Sequence, residues 1–294
     1  MTARLLDGRK VSDAILSEVK ADVAKLKAQG VTPGLVAVLI GENPASQVYV
    51  RSKTRTAQEL GLAGDTLRLP ASTSEAEALA VVERLNRDAK VHGILVQLPL
   101  PSHMSEHRVT QAVSPWKDVD GFHPANLGRL VLGDPLFEPC TPAGIRELLL
   151  RNGYSPEGKH VVICGRSNIV GKPLGIMLMQ KRPGANATVT ICHTGTRDLA
   201  AVTRQADILV AAMGSPRAIT ADMVREGAMV VDVGVNRVPD PTAKSGYRLV
   251  GDVDFDAVRE KAEAITPVPG GVGPMTIAML MSNTVKAAKL AQAP

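Results

Sequence analysis

The chain has 294 residues, 45% apolar and 21% charged, with a formal net charge of +5. That length holds two domains, or one large one, with ample core, and the balance is that of an ordinary soluble globular protein. The basic excess comes without a dense Lys/Arg block or aromatics interleaved with basic residues, so nucleic acid is not supported as a partner. The longest apolar runs are strand-sized, far below the roughly 20 residues of a membrane span. The opening MTARLLDGRK lacks the apolar core and small-residue cleavage site of a signal peptide. Cys140, Cys164 and Cys192 are too few and too far apart for a disulfide framework or a metal cluster. They read as buried reduced thiols of a cytoplasmic protein. His92, His123 and His193 are scattered, and no metal site is assigned.

Taken in order, Val11, Ile15, Val19, Val23 and Leu26 mark one face of a helix ending near Gly30. GLVAVLIG (34–41) is a continuous apolar run, the pattern of a strand buried on both faces. A helix is predicted from Pro44 to Gly61, and another from Ser74 to Ala89, with Ser74 as N-cap and Glu77 as its capping-box partner. HGILVQLPLP (92–101) is a second buried strand, stopped by Pro99 and Pro101. Residues 114–140, rich in Pro, Gly and Asp, read as loop. A helix over Pro142–Asn152 leads into a second series of strands, KHVVICG (159–165), ATVTICH (187–193), ADILVAAMG (206–214) and AMVVDVGVN (228–236). Helices are predicted after Gly171 and near Asp198–Ala206, and a last one from Met275 to about Ala291. This alternation predicts an α/β fold with mostly parallel sheets in two domains. The first is residues 1–138, completed by a returning C-terminal helix over 275–294; the second is residues 139–274.

The turn GRSNIVGKP (165–173) follows a strand and opens a helix, the position of the phosphate-binding turn in a dinucleotide unit. Ser167 stands where the second glycine of the usual fingerprint would be, and the third arrives one residue late at Gly171. A serine hydroxyl can donate to a phosphate, but the spacing alone describes a purely structural turn equally well. The next strand ends CHTGTR (192–197) with no acid before Asp198. Hydroxyls such as that of Thr194, and the guanidinium of Arg197, stand where an NAD-binding unit places its ribose carboxylate, and Arg166 lies beside the turn. A 2′-phosphate is repelled by a carboxylate and gripped by guanidinium, so a bound dinucleotide is expected to be NADP. Both arginines also fit a plain solvated surface.

In YVRSKTRTAQELG (49–61), Tyr49 and Lys53 are four residues apart and so neighbours on one helix face. By spacing alone such a pair is more often a solvated face than a catalytic one. Gln97 is polar in an apolar strand, and reads either as a functional amide or as a satisfied core one. Asp118 and Asp120 precede Gly121, where both also fit turn formers. PVPGGVGP (267–274) fits a rigid turn before a helix.

These segments occur together and in one order. KDVDGFHPANLGRL (117–130), CTPAGI (140–145), GRSNIVGKP and PVPGGVGPMTIAMLMSNT (267–284), with YVRSKTRTAQELG and GILVQLPLP, resemble the bifunctional methylenetetrahydrofolate dehydrogenase/methenyltetrahydrofolate cyclohydrolase family over nearly the whole chain. The resemblance implies an α/β catalytic domain facing a Rossmann-type NADP domain across a cleft. It implies two linked reactions of one-carbon metabolism, which serves purine biosynthesis: NADP-dependent oxidation of 5,10-methylenetetrahydrofolate to the methenyl cation, then its hydrolysis to 10-formyltetrahydrofolate. A monofunctional dehydrogenase is the alternative.

The resemblance also assigns roles. Lys53 becomes the acid/base of the cyclohydrolase step, which asks for an amine that releases its proton more readily than free lysine; desolvation or a cationic substrate would do this. Tyr49 stacks on the folate ring, and Gln97 orients the lysine through an uncharged carbonyl. Asp120, favoured over Asp118 by the family register, accepts from the two neighbouring N–H groups of the pterin edge. Leu98, Pro269, Gly270 and Gly273 join the substrate site, and Gly165, Arg166, Ser167, Thr194, Arg197 and Val235 the cofactor site. The basic charge suits a polyglutamylated folate tail, and the family forms homodimers through its nucleotide domain. Trp116 is an unusually bulky neighbour of the aspartate loop.

Overall fold

The computed structural model describes residues 2–243 and 246–292. Its elements are β1 (Arg4–Leu5), α1 (Gly8–Ala28), β2 (Gly34–Ile40), α2 (Pro44–Glu59), β3 (Ala63–Leu69), α3 (Glu75–Arg87), β4 (Gly93–Val96), α4 (Glu106–Gln111), α5 (Pro124–Val131) and α6 (Cys140–Arg151). There follow β5 (His160–Cys164), α7 (Gly171–Leu178), β6 (Thr188–Cys192), α8 (Leu199–Thr203), β7 (Ile208–Ala211), β8 (Met229–Asp232), β9 (Asn236–Pro239), β10 (Tyr247–Val250), α9 (Phe255–Val258), β11 (Ala264–Ile265) and α10 (Val272–Leu290). The chain forms two compact units, residues 1–12 with 141–276, and residues 13–140 with the segment from Ile277 onward. Residues 293 and 294 of the C-terminal segment lie outside the described residues.

One unit is built on a three-stranded parallel sheet in the order β3-β2-β4. β2 and β4 are the apolar runs of the sequence and are buried along almost their whole length. On one side, Val38, Ile40, Ile94 and Val96 pack with Ala78, Val82 and Leu85 of α3 and Val109 of α4. α3 begins with the expected capping box: the Ser74 hydroxyl accepts from the Glu77 N–H at 3.3 Å, and the Glu77 carboxylate accepts from the Ser74 N–H at 2.8 Å. The α1 face marked by Ile15, Val19, Val23 and Leu26 is buried. The segment of α10 in this unit is fixed by Asn283, whose side-chain amide donates to the carbonyls of Val119 (2.8 Å) and Glu138 (2.9 Å).

Two parts of this unit depart from the expectation. β3 has the partly exposed, polar-interrupted pattern of an edge strand, without the apolar run by which its neighbours are recognised. Residues 114–140 are not all loop, because α5 forms within them. Pro124 occupies its first turn, the His123 ring accepts from the Ala125 N–H, and Asn126 and Leu130 are buried beneath it.

The other unit carries a six-stranded, all-parallel sheet in the order β1-β11-β8-β7-β5-β6. Val162, Cys164, Leu209, Ala211 and Val230 form one buried face with Ala228, Val253 and Val258. β1 is the first strand of the chain, yet it pairs with β11, which is why residues 1–12 belong here and not with the segment that follows them. Strands β1 and β11, of two residues each, and the β9–β10 hairpin are too short or too polar to be foreseen. β5 lies between β6 and β7, so successive connections leave it in opposite directions. That is the topological switch point at which such sheets bind ligands.

Candidate functional site

In the six-stranded unit a cavity of about 500 Å³ opens at the carboxyl ends of β5, β6 and β7. Its walls include Gly165, Arg166 and Ser167 after β5, His193, Thr194 and Thr196 after β6, and Ala212, Met213 and Ser215 after β7. Gly165 has φ +135°, and a Cβ there would stand 2.1 Å from the Ala212 carbonyl oxygen. A Cβ on Gly171 would stand 2.0 Å from the Gly165 carbonyl oxygen. Both glycines are thus required by close backbone approach, which brings the N-terminus of α7 to the cavity edge. The Ser167 hydroxyl oxygen accepts from the N–H groups of Val170 (3.1 Å) and Gly171 (3.4 Å). Its own proton remains available to an anion.

The end of β6 offers no free carboxylate. Asp198, the nearest acid, caps α8 by accepting from the Ala201 N–H at 3.0 Å. The Thr196 hydroxyl accepts from the His193 N–H at 2.8 Å, shaping the turn that carries Thr194. Arg166 lines the cavity, whereas Arg197 and Val235 are exposed and stand outside its lining. Sequence reasoning missed His193, Thr196, Ala212, Met213 and Ser215. Each closely follows a strand that was recognised, so the strand ends were the available signal.

The three-stranded unit assembles the other set. Along α2, Ser46, Val50 and Ala57 are buried, as is Leu60 just after it, and Lys53 falls on the same stripe. A lysine therefore occupies an inward-facing, half-buried position. Its ammonium donates to the Gln97 side-chain carbonyl at 3.3 Å. Gln97 follows directly on β4, and its own amide is oriented by donation to the Leu98 carbonyl at 2.8 Å. The Ser46 hydroxyl donates to the same Leu98 carbonyl at 3.3 Å, tying the start of α2 to this segment. Tyr49 sits one turn before Lys53, with 48% of its surface exposed.

The two aspartates of the 117–122 segment have different environments. Asp118 is buried and accepts from the N–H groups of Phe122 (3.3 Å) and His123 (2.8 Å) and from the Asn126 side chain (2.8 Å). It organises the entry to α5. Burial pushes its pKa up to about 6 in spite of those bonds. The Asp120 carboxylate takes none of these backbone bonds. Desolvation raises its carboxyl above the usual range, while the Lys53 charge pulls the other way. Lys53, Gln97 and Asp120 thus form one electrostatically connected group. Trp116 projects outward, 58% exposed.

Pro269, Gly270 and Gly273 lie in the six-stranded unit, in the turn between β11 and α10 and its first residues. Gly270 has φ +109°, and its carbonyl accepts from the Gly8 N–H at 3.0 Å. Pro269 and Gly273 are exposed.

Residues 6–120 match the tetrahydrofolate dehydrogenase/cyclohydrolase catalytic domain, and residues 139–292 match the NAD(P)-binding domain of the same family. The chain belongs to the tetrahydrofolate dehydrogenase/cyclohydrolase family. It is 57% identical over 289 residues to the bifunctional protein FolD of Moorella thermoacetica, covering 98% of this chain and all of that one. Among solved structures, the FolD methylenetetrahydrofolate dehydrogenase/cyclohydrolase of Campylobacter jejuni superposes with a TM-score of 0.92 at 48% identity, covering 98% and 99% of the two chains. The Trypanosoma brucei dehydrogenase-cyclohydrolase, complexed with NADP cofactor and inhibitor, gives 0.94 at 40% identity, covering both chains fully. Within a tetrahydrofolate dehydrogenase/cyclohydrolase chain, the cavity beside Gly165–Ser167 belongs to the NAD(P)-binding domain, and Lys53, Gln97 and Asp120 to the catalytic domain.

Proposed function

We propose that the chain oxidises 5,10-methylenetetrahydrofolate with NADP and hydrolyses the resulting methenyl cation to 10-formyltetrahydrofolate. The observation that carries the second activity is the Lys53–Gln97 contact at 3.3 Å, on an inward helix stripe that leaves Asp120 within the reach of the lysine charge. A dehydrogenase lacking hydrolase activity would have no need of it.

In the hydrolysis, water adds to the methenyl carbon, and a proton must leave that water while another reaches the folate nitrogen as the ring opens. Lys53 is the group that exchanges these protons. Gln97 fixes its direction with a neutral acceptor, so the amine is not locked in an ion pair. Asp120 accepts from two N–H groups of the pterin edge; its carboxylate meets the buried Cys140 thiol but takes none of the backbone bonds that occupy Asp118. Tyr49 offers a ring face and a hydroxyl to the same substrate, and Leu98 follows Gln97 on the same side of the folate site.

For the cofactor, the close-approach glycines, the Ser167 hydroxyl and the helix N-terminus behind them fit a pyrophosphate. Arg166, with no free acid at the end of β6, suits a 2′-phosphate and favours NADP over NAD. When bound, the nicotinamide supplies the hydride acceptor. Gly165, Arg166, Ser167 and Thr194 hold the dinucleotide in place, and Arg197 and Val235 remain candidates at its exposed rim.

We place the enzyme in the cytoplasm, where its three buried, unpaired cysteines stay reduced. Among the described residues no helix is long and apolar enough to cross a membrane. A homodimer through the nucleotide unit is supported by the edge position of β6 and by Ile191 and Met179, exposed on its α7 side. The net charge of +5 favours folates with polyglutamate tails. The deciding experiment compares wild type with Lys53→Met in NADP-dependent oxidation and in hydrolysis of the isolated methenyl compound. Wild-type hydrolysis no faster than background would leave only the dehydrogenase.

A further inference from the structure

The loop that follows β7 forms one wall of the dinucleotide cavity through Ala212, Met213 and Ser215. Three consecutive N–H groups of that loop converge on a single side chain. Asp252, fully buried just beyond β10, accepts from Met213 (2.6 Å) and Gly214 (2.9 Å) on Oδ2 and from Ser215 (2.9 Å) on Oδ1. Its Oδ1 also accepts from the Asn236 side chain at 2.9 Å, at the start of β9. No lysine or arginine takes part in these four bonds.

Asp252 is itself held by a second acid. Asp232, at the end of β8, accepts from the backbone N–H groups of Asp252 (2.9 Å) and Gly234 (3.0 Å) on Oδ1 and of Val253 (3.0 Å) on Oδ2. The packing leaves no slack. A Cβ on Gly234 would stand 2.2 Å from Asp252 Oδ1, and one on Gly251 would stand 1.7 Å from Asp232 Oδ2. Both acids belong to the six-stranded unit, whereas the folate-handling residues Lys53 and Gln97 belong to the other.

We propose that Asp252, braced by Asp232, is a positioning residue for the dinucleotide: it clamps the Met213–Ser215 loop in the conformation that forms the cavity wall. This inference rests on the cofactor reading above. It assigns no chemistry to Asp252, which touches neither substrate nor reacting atoms. The acceptor-only character of a carboxylate is what the site needs, since all four partners are donors. Asparagine has the same shape but turns one acceptor into a donor. Whichever way its amide is placed, an NH₂ group meets two N–H donors.

The test measures NADP(H) affinity by calorimetry, methenyl hydrolysis without nucleotide, and amide hydrogen exchange at Met213, Gly214 and Ser215 in the nucleotide-free protein, for wild type and Asp252→Asn. The expected result is faster exchange at those three amides, a Kd for NADP(H) raised on the order of tenfold or more, and hydrolysis retained. Hydrolysis through Lys53 and Gln97 shows that the other unit is intact, and the thermal transition of the variant shows that the six-stranded unit still folds. A folded variant with wild-type Kd and wild-type exchange would overturn the proposal, and so would a lowered Tm with unchanged Kd, which marks a purely structural acid. Should Asp252→Asn fail to fold, Asn236→Ala removes one of the four donors and leaves the three backbone bonds. It is then expected to raise Kd a few-fold, on the order of one weakened hydrogen bond, and to quicken exchange, and no change in either would again refute the clamp. Wild type that binds no dinucleotide would instead refute the cofactor reading on which the clamp depends.

Discussion

Lys53 donates to Gln97 across 3.3 Å, from the inward stripe of α2 to the residue immediately after β4. The contact joins two elements that the sheet core already holds, so the amine is aimed by the fold as well as by its partner. Val50 and Ala57, one turn to either side of Lys53, are completely buried.

The first prediction follows from that placement. Lys53→Met keeps the length and the apolar stem but has no proton to exchange. Hydrolysis of the methenyl compound should fall about 100-fold or more, the usual scale of a lost acid/base group. NADP-dependent oxidation, which needs no proton transfer through Lys53, should be much less affected. Equal losses in both assays would assign Lys53 to folate binding instead of proton transfer. Gln97→Leu should reproduce a weaker form of the same selective defect, because it removes the group that directs the amine without removing the amine.

Legibility of the fold in the sequence followed burial. β2, β4 and β7 are continuous apolar runs, β5 and β8 are apolar except for His160 and Asp232 at their ends, and the Ser74/Glu77 box announced α3. β3 escaped notice because an edge strand with Asp65, Thr66 and Arg68 has no apolar run to show. α5 was hidden by the Pro and Gly content around it, although Pro124 is where a helix accepts proline. At the site, the Tyr49–Lys53 spacing was visible, but the more telling pattern was Ser46, Val50, Lys53, Ala57 and Leu60, which puts the lysine in register with the core. Asp232 and Asp252 were unreadable as a pair. They lie 20 residues apart and meet only through the hairpin of β9 and β10.

Cofactor preference gives a second prediction. Arg166 lines the cavity and Arg197 stands outside its lining. Arg166→Ala should therefore lower the NADP-over-NAD ratio of kcat/KM by about tenfold, on the scale of one lost charge-assisted contact to a phosphate. Arg197→Ala should lower it less. The reverse ranking would move the 2′-phosphate to the α8 side of the turn.

Salt dependence checks the basic charge. If polyglutamate carboxylates meet solvated lysines and arginines, the advantage of a long-tailed folate over the monoglutamate in KM should shrink as salt rises from about 0.05 to 0.5 M, where screening shortens from more than 10 Å to a few Å. A salt-independent advantage would locate the tail in a buried pocket.

The buried acids set a pH dependence of stability. Asp118 and Asp232 each have a pKa raised by desolvation to about 6, against an ordinary value of 3.8. Between those values the folded chain keeps protons that the unfolded chain releases. Each group therefore contributes stability that is complete below about pH 4 and is lost as pH rises to about 6, with little change beyond. A rise of that size sets an upper scale of about 2 to 3 kcal/mol for each acid. The acids whose pKa is lowered, such as Asp207, held by the His160 N–H and Arg225, work in the opposite sense only below about pH 4, outside this window. His92, held below its ordinary 6.5 by burial, loses stability as pH falls and opposes the raised acids. Three carboxyls, Asp118, Asp120 and Asp232, are raised against this one ring, so denaturant unfolding of wild type should show greater stability at pH 4.5 than at pH 7. In Asp118→Asn the difference should shrink by about 2 kcal/mol, because one of the raised carboxyls no longer titrates. An unchanged pH difference in the variant would mean that Asp118 stays ionised in the fold, stabilised by its bonds to Phe122, His123 and Asn126 more than it is penalised by burial.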